Sequence, residues 1–159
     1  MDIRVVDLSE QTLNGIGSLL TPSRWPVPSA DEEHAYVDTI EDLRLSTPCS
    51  AGVVQARPRP QTLKRLERHL HTREILVALE GEAVVCLAPP QQASPAGLAG
   101  IVAVRVKSGQ GFILEMGAWH ASAFPVGKEP SRLLVIFRSG SGRTDLEFHD
   151  LPRGLSIVG

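Results

Sequence analysis

Residues 69 to 81 read HLHTREILVALEG, with two histidines two positions apart, a glutamate three further on, and an apolar run closed by a glycine. Side chains alternate across a strand, so His69 and His71 are expected on one face beside Glu67, with Arg68 and Leu70 on the other. Two imidazoles aimed at one point, with Glu74 as a third donor, suit a divalent metal that keeps open coordination positions. The same residues also suit a solvated strand face, so the motif alone leaves both readings open. A second stretch, GQGFILEMGAWH at 109–120, sets Gly109, Gly117 and His120 at the spacing G-x7-G-x2-H.

These residues need rigid elements to hold them, and the surrounding pattern supplies strands. From residue 51 onward, short runs rich in valine, isoleucine and leucine alternate with glycine, proline and serine: AGVVQA, TLKRLERHL, EILVALEG, EAVVCLA, GIVAVRV, GFILEM, WHASAF, RLLVIF and DLEFHD. That spacing predicts an all-β sandwich or barrel. Ahead of it, IRVVDL reads as a strand, and Ser9 is placed to cap a short helix over EQTLNGIG, with Leu13 and Ile16 on one face. TPSRWPVPSADEE and PPQQASPAG read as loops, and RSGSGR reads as a surface turn. His34 and His149 lack partners in sequence and read as surface residues. No repeat or composition break divides the chain, and 159 residues are expected to form one domain, 1–159.

Composition narrows the partners. Sixteen Lys+Arg against eighteen Asp+Glu give a net charge of -2, with the basic residues scattered, so no footprint for nucleic acid is expected. No signal peptide and no long apolar span points to a membrane. Cys49 and Cys86 stand outside any C-x-x-C arrangement and fit a reducing cytoplasm. Neither G-x-S-x-G nor a phosphate-binding glycine loop is present, so a small molecule handled without a serine nucleophile is the expected partner.

The two motifs together resemble those of the cupin superfamily, small β-barrels or jelly rolls whose first motif is H-x-H, E and G and whose second ends in G-x2-H. The resemblance carries the metal ligands onto His69, His71, Glu74 and His120. Two departures stand out: only two residues separate His71 from Glu74, and Glu115 occupies the usual proline position. More narrowly, LSEQTLNGIGSLL, LERHLHTREILVALEGEAVV, the Trp119-His120 pair and RLLVIFRSGSGRTDLEFHDLP resemble the ureidoglycolate lyase family. The continuation after Trp119-His120, here Ala121 and Ser122, differs from that of typical members.

That resemblance implies a homodimeric enzyme of purine (allantoin) breakdown that splits ureidoglycolate into glyoxylate and urea. It further implies a divalent metal, nickel, manganese, zinc or iron, held by the four ligands. Glu67 or Glu115 is then the candidate acid/base. Arg138, or else Arg57, is the candidate partner of the substrate carboxylate, and Trp119 is a candidate pocket wall. Two alternatives share the fold: a metal-free cupin that binds a small organic acid, and an iron-dependent cupin oxygenase.

Overall fold

The structure, a computed structural model, describes residues 2–22, 36–90 and 100–159. His34, most of the proline-rich loop and most of PPQQASPAG lie outside them.

Among the described residues twelve strands follow one another: β1 Asp2–Asp7, β2 Gly17–Leu19, β3 Cys49–Ala56, β4 Thr62–Arg68, β5 Glu74–Glu80, β6 Ala83–Ala88, β7 Val102–Val106, β8 Gly111–Leu114, β9 Trp119–His120, β10 Phe124–Pro125, β11 Ser131–Arg138 and β12 Glu147–Val158. A single helical turn, α1 Ser141–Thr144, sits where RSGSGR was expected to form a plain turn. Among the described residues no helix is long and apolar enough to cross a membrane.

The strands form two sheets, one ordered β10-β6-β7-β1-β12-β4-β9 and the other β2-β8-β5-β11-β3. An extra pairing of β6 with β9 turns the larger sheet into a closed circuit of six strands. β1 lies parallel to both its neighbours, with Ile3 beside Ile157 of β12 and Val5 beside Ala103 of β7.

Alternation distributes the apolar side chains between two cores. In β6, buried on both faces, Val85 and Leu87 join Leu76, Phe112, Leu114 and Leu133 of the five-stranded sheet, while Val84, Cys86 and Ala88 pack with Leu63, Leu66, Trp119 and Ile157. Each such valine, leucine, isoleucine or phenylalanine contributes about 1.5–3 kcal/mol by leaving water, so β6 is the strand on which both cores depend.

The expected N-terminal helix over residues 10–17 is absent. Ser9 does accept from Thr12 N–H at 3.2 Å, and Leu13 and Ile16 are buried, as a docking element requires. Gly15, however, adopts φ 73, a left-handed conformation that stops an α-helix, and Thr12 Oγ1 donates back to the Ser9 carbonyl at 2.9 Å. The segment is therefore a series of turns leading into β2.

Candidate metal centre

β4 ends at Arg68 and β5 begins at Glu74, so the histidine motif lies in the connection between the two sheets and not on a strand face. This overturns the alternation argument for His69 and His71. His69 is buried at 6% exposure, whereas the His71 side chain is 71% exposed and turned toward Asp145. The structure brings together three of the four expected ligands: His69, Glu74 and His120 offer donor atoms that all lie within 4.8 Å of one another. His71 stands apart, because its ring is the donor to the Asp145 carboxylate at 2.9 Å.

His120 arrives from β9, placed by the tight turn at Gly117, whose φ of 79 favours glycine and whose N–H donates to the His69 carbonyl at 2.7 Å. Glu67 of β4 lies opposite His120 in the register. The rings of His69 and His120 face each other with centroids 5.3 Å apart, and Phe137 of β11 packs on His69 at 5.6 Å.

The hydrogen-bonding pattern fixes which ring nitrogens are free. His69 Nδ1 donates to the Asp145 carbonyl at 2.5 Å and His120 Nδ1 to the Ala118 carbonyl at 3.3 Å, leaving both Nε2 atoms facing inward. Glu74 Oε2 lies 3.4 Å from His69 Nε2 and 3.1 Å from His120 Nε2, and it is buried without a hydrogen bond from any described residue. A buried carboxylate oxygen left in this way is costly. A divalent cation among these three atoms would satisfy all of them at once, and the second-nitrogen bonds to carbonyls are the support that metal-ligating histidines commonly have. The donor set therefore fits a metal.

Charge follows the same geometry. Burial alone would lower both imidazoles. The Glu74 carboxylate and the Asp145 carbonyl nevertheless raise His69, and Glu74 with Glu67 pushes His120 up to about 9. Contact with His120, 3.5 Å away, holds Glu67 below the usual carboxylate range against the upward push of burial.

The remaining candidates fall elsewhere. Glu115 is bound through both oxygens by the Arg73 guanidinium, itself only 4% exposed and also donating to the Leu43 carbonyl at 3.2 Å; it braces the motif loop and does not reach the three donors. Arg138 lies 3.9 Å from the Asp145 carboxylate, and its backbone N–H donates to Thr72 Oγ1 at 3.0 Å. Arg57 is exposed, with its carbonyl 3.5 Å from Arg59 Nη1. Trp119 is a core residue at 2% exposure, with the Arg68 guanidinium 4.3 Å above its ring and His149, half-buried, edge-on at 6.1 Å.

Asp145 was not among the sequence candidates, yet it organises the loop. Its side chain is 3% exposed and accepts from the N–H groups of Leu70 and His71 and from the His71 ring, each at 2.9 Å, while its carbonyl orients His69. Burial would push its carboxyl up, but the bonds from His71 and Leu70 outweigh that and hold it below the usual range. An aspartate two residues before a strand carries no spacing signal of this role.

The fold has known relatives. A dTDP sugar isomerase from Desulfovibrio desulfuricans G20 superposes with a TM-score of 0.52 at 14% identity, over 86% of this chain and 82% of that one. Oxalate decarboxylase from Bacillus subtilis gives a TM-score of 0.45 at 16% identity over 65% of this chain, and that from Lactobacillus farciminis 0.44 at 18% over 66%. The aligned part spans 24% and 27% of those two longer chains. A search of curated proteins finds no match by sequence. The sequence family described as Ureidoglycolate lyase matches residues 30–158, a stretch that takes in β3 to β12 and every donor of the centre, and the chain belongs to that family.

Proposed function

We propose that the protein is a metal-assisted lyase that splits ureidoglycolate, or a closely similar 2-hydroxy acid, into glyoxylate and urea. The observation that carries this reading is the convergence of Glu74 Oε2 with the Nε2 atoms of His69 and His120, a donor set that a divalent cation would satisfy at once. These three residues would hold the metal, and a bound divalent ion would polarise the substrate hydroxyl and favour loss of its proton.

The protein's own groups supply the proton handling. Glu67, ionised and half-buried beside His120, takes the hydroxyl proton as the carbon-oxygen double bond of glyoxylate forms. The carbon-nitrogen bond breaks, and the same carboxyl returns the proton to the departing urea nitrogen, so charge and atoms balance.

This reading places the protein in purine (allantoin) degradation, in the cytoplasm, with a small organic acid as partner and the chain as a homodimer. The free thiols of Cys49 and Cys86 support the reducing compartment.

The test is glyoxylate release from racemic ureidoglycolate by protein loaded with nickel, manganese, zinc or iron. Turnover is expected with at least one metal, and His120→Ala and His69→Ala are expected to lose both stoichiometric metal and turnover. Absence of turnover with every metal would overturn the lyase reading. A metal-free binding protein would instead show no metal in the parent after reconstitution.

A further inference from the structure

β4 and β9 share one register position, Glu67 opposite His120, and beyond it β4 and residues 120–124 diverge. A cavity of about 290 Å³ opens there, lined by Glu67 and His120 together with Arg59, Lys64, Ser122 and Phe124. That volume is at the small end of ligand pockets, which span about 300–1,000 Å³, and so suits a small acid better than a nucleotide.

Arg59 differs from the arginines that the fold pairs with acids. Arg65, Arg68, Arg73, Arg132 and Arg138 each face a carboxylate. Among the described residues Arg59 has no acidic partner. Its guanidinium instead lies 4.0 Å over the Phe124 ring, and Nη2 donates to the Ser122 carbonyl at 2.7 Å. These two contacts, with Nη1 donating to the Arg57 carbonyl at 3.5 Å, hold the planar fork in place and leave the rest of its five N–H donors unused. Lys64, exposed on the same wall, has no acidic partner among the described residues either and adds positive potential.

We propose that this cavity is the anion end of the substrate site, where Arg59 binds the carboxylate of a small 2-hydroxy acid while Glu67 and His120, lining the same cavity, face its reacting carbon. A pinned guanidinium suits a carboxylate because it can give two parallel hydrogen bonds with little further ordering. The assignment rests on the lyase reading for the identity of the acid, and it moves the substrate arginine from Arg138 and Arg57, which do not line the cavity, to a residue between two prolines.

The test is calorimetric titration of the protein as purified with glycolate, and with glycolamide as its uncharged counterpart. Saturable glycolate binding is expected, with glycolamide much weaker. Arg59→Gln should weaken glycolate roughly 10- to 100-fold, the range for losing hydrogen bonds to a charged group. Arg59→Lys should recover part of the loss, and Arg132→Gln should bind like the parent. Unchanged glycolate affinity in a folded Arg59→Gln, or no glycolate binding by the parent, would overturn the assignment. Ureidoglycolate turnover in the same preparations separates the two ideas. Turnover with a KM unaffected by Arg59→Gln sinks the anion site alone, whereas Arg59-dependent glycolate binding without turnover under any metal sinks the lyase alone.

Discussion

At His120 burial and charge pull in opposite directions. It is 4% exposed, which favours the neutral ring, yet two carboxylates push its pKa up to about 9. In the metal-free protein this raised value contributes stability that is full below the ordinary histidine value of 6.5 and is lost as pH rises through about 9. A metal needs the Nε2 lone pair, so binding must displace that proton. Between pH 6 and 8 the apparent affinity for zinc or manganese is expected to climb about tenfold per pH unit for each proton displaced. Competition with a chelator of known affinity at several pH values measures that slope, and a flat profile would remove His120 from the ligand set. At this scale the cupin-like motifs were the informative signal: they pointed to His69, Glu74 and His120, which the structure brings together, although the strand alternation expected for His69 and His71 does not hold. The place of His71 was not legible, because its ring's fate depends on an aspartate 74 residues away. Arg59 was not either, since nothing in ARPRPQ shows that Phe124 and Ser122 will be its neighbours.

The connection from His69 to Arg73 acts as a unit because other elements grip almost every residue of it. Asp145 takes two of its backbone N–H groups, Ser46 Oγ donates to the His71 carbonyl at 2.9 Å, Thr72 Oγ1 accepts from Arg138 N–H, and Arg73 holds Glu115. Asp145→Ala should cost about 1–3 kcal/mol for each buried donor it strands, read from the midpoint of urea unfolding. It should also loosen metal retention by roughly tenfold or more, as loss of a supporting group does. Unaltered metal affinity in a destabilised variant would reduce Asp145 to a structural role. Because the Asp145 carboxyl is held low, its share of stability is full above the ordinary carboxylate range and disappears as pH falls through the depressed value. Element boundaries were the least legible feature. TLKRLERHL looks like a strand through Leu70, but pairing with β12 and β9 ends at Arg68. EQTLNGIG has a helical apolar spacing that Gly15 breaks.

Over the whole chain, the all-β architecture followed directly from short apolar runs cut by turn residues, because burying alternate faces is the simplest use of such runs. The division into two cores did not follow, since periodicity alone cannot tell that β6 is covered on both faces. Phe112, fully buried between the sheets, tests how strongly the molecule depends on that packing. Phe112→Ala should cost about 3–5 kcal/mol, a large share of the roughly 5–15 kcal/mol that holds a domain together. A loss below about 1 kcal/mol in urea titration would mean the two sheets are less interdependent than their contacts imply. The parallel insertion of β1 between β7 and β12 has a consequence for biosynthesis. Residues 2–7 wait for residues 147–158 to complete their pairing, so the circuit of strands around Glu67 and His120 cannot close until β12 has been synthesised. Long-range pairings of this kind are slow to form. Until β12 is made the growing chain must therefore shelter an unclosed sheet, and chaperone engagement is expected to fall on the open edges of β1 and β4.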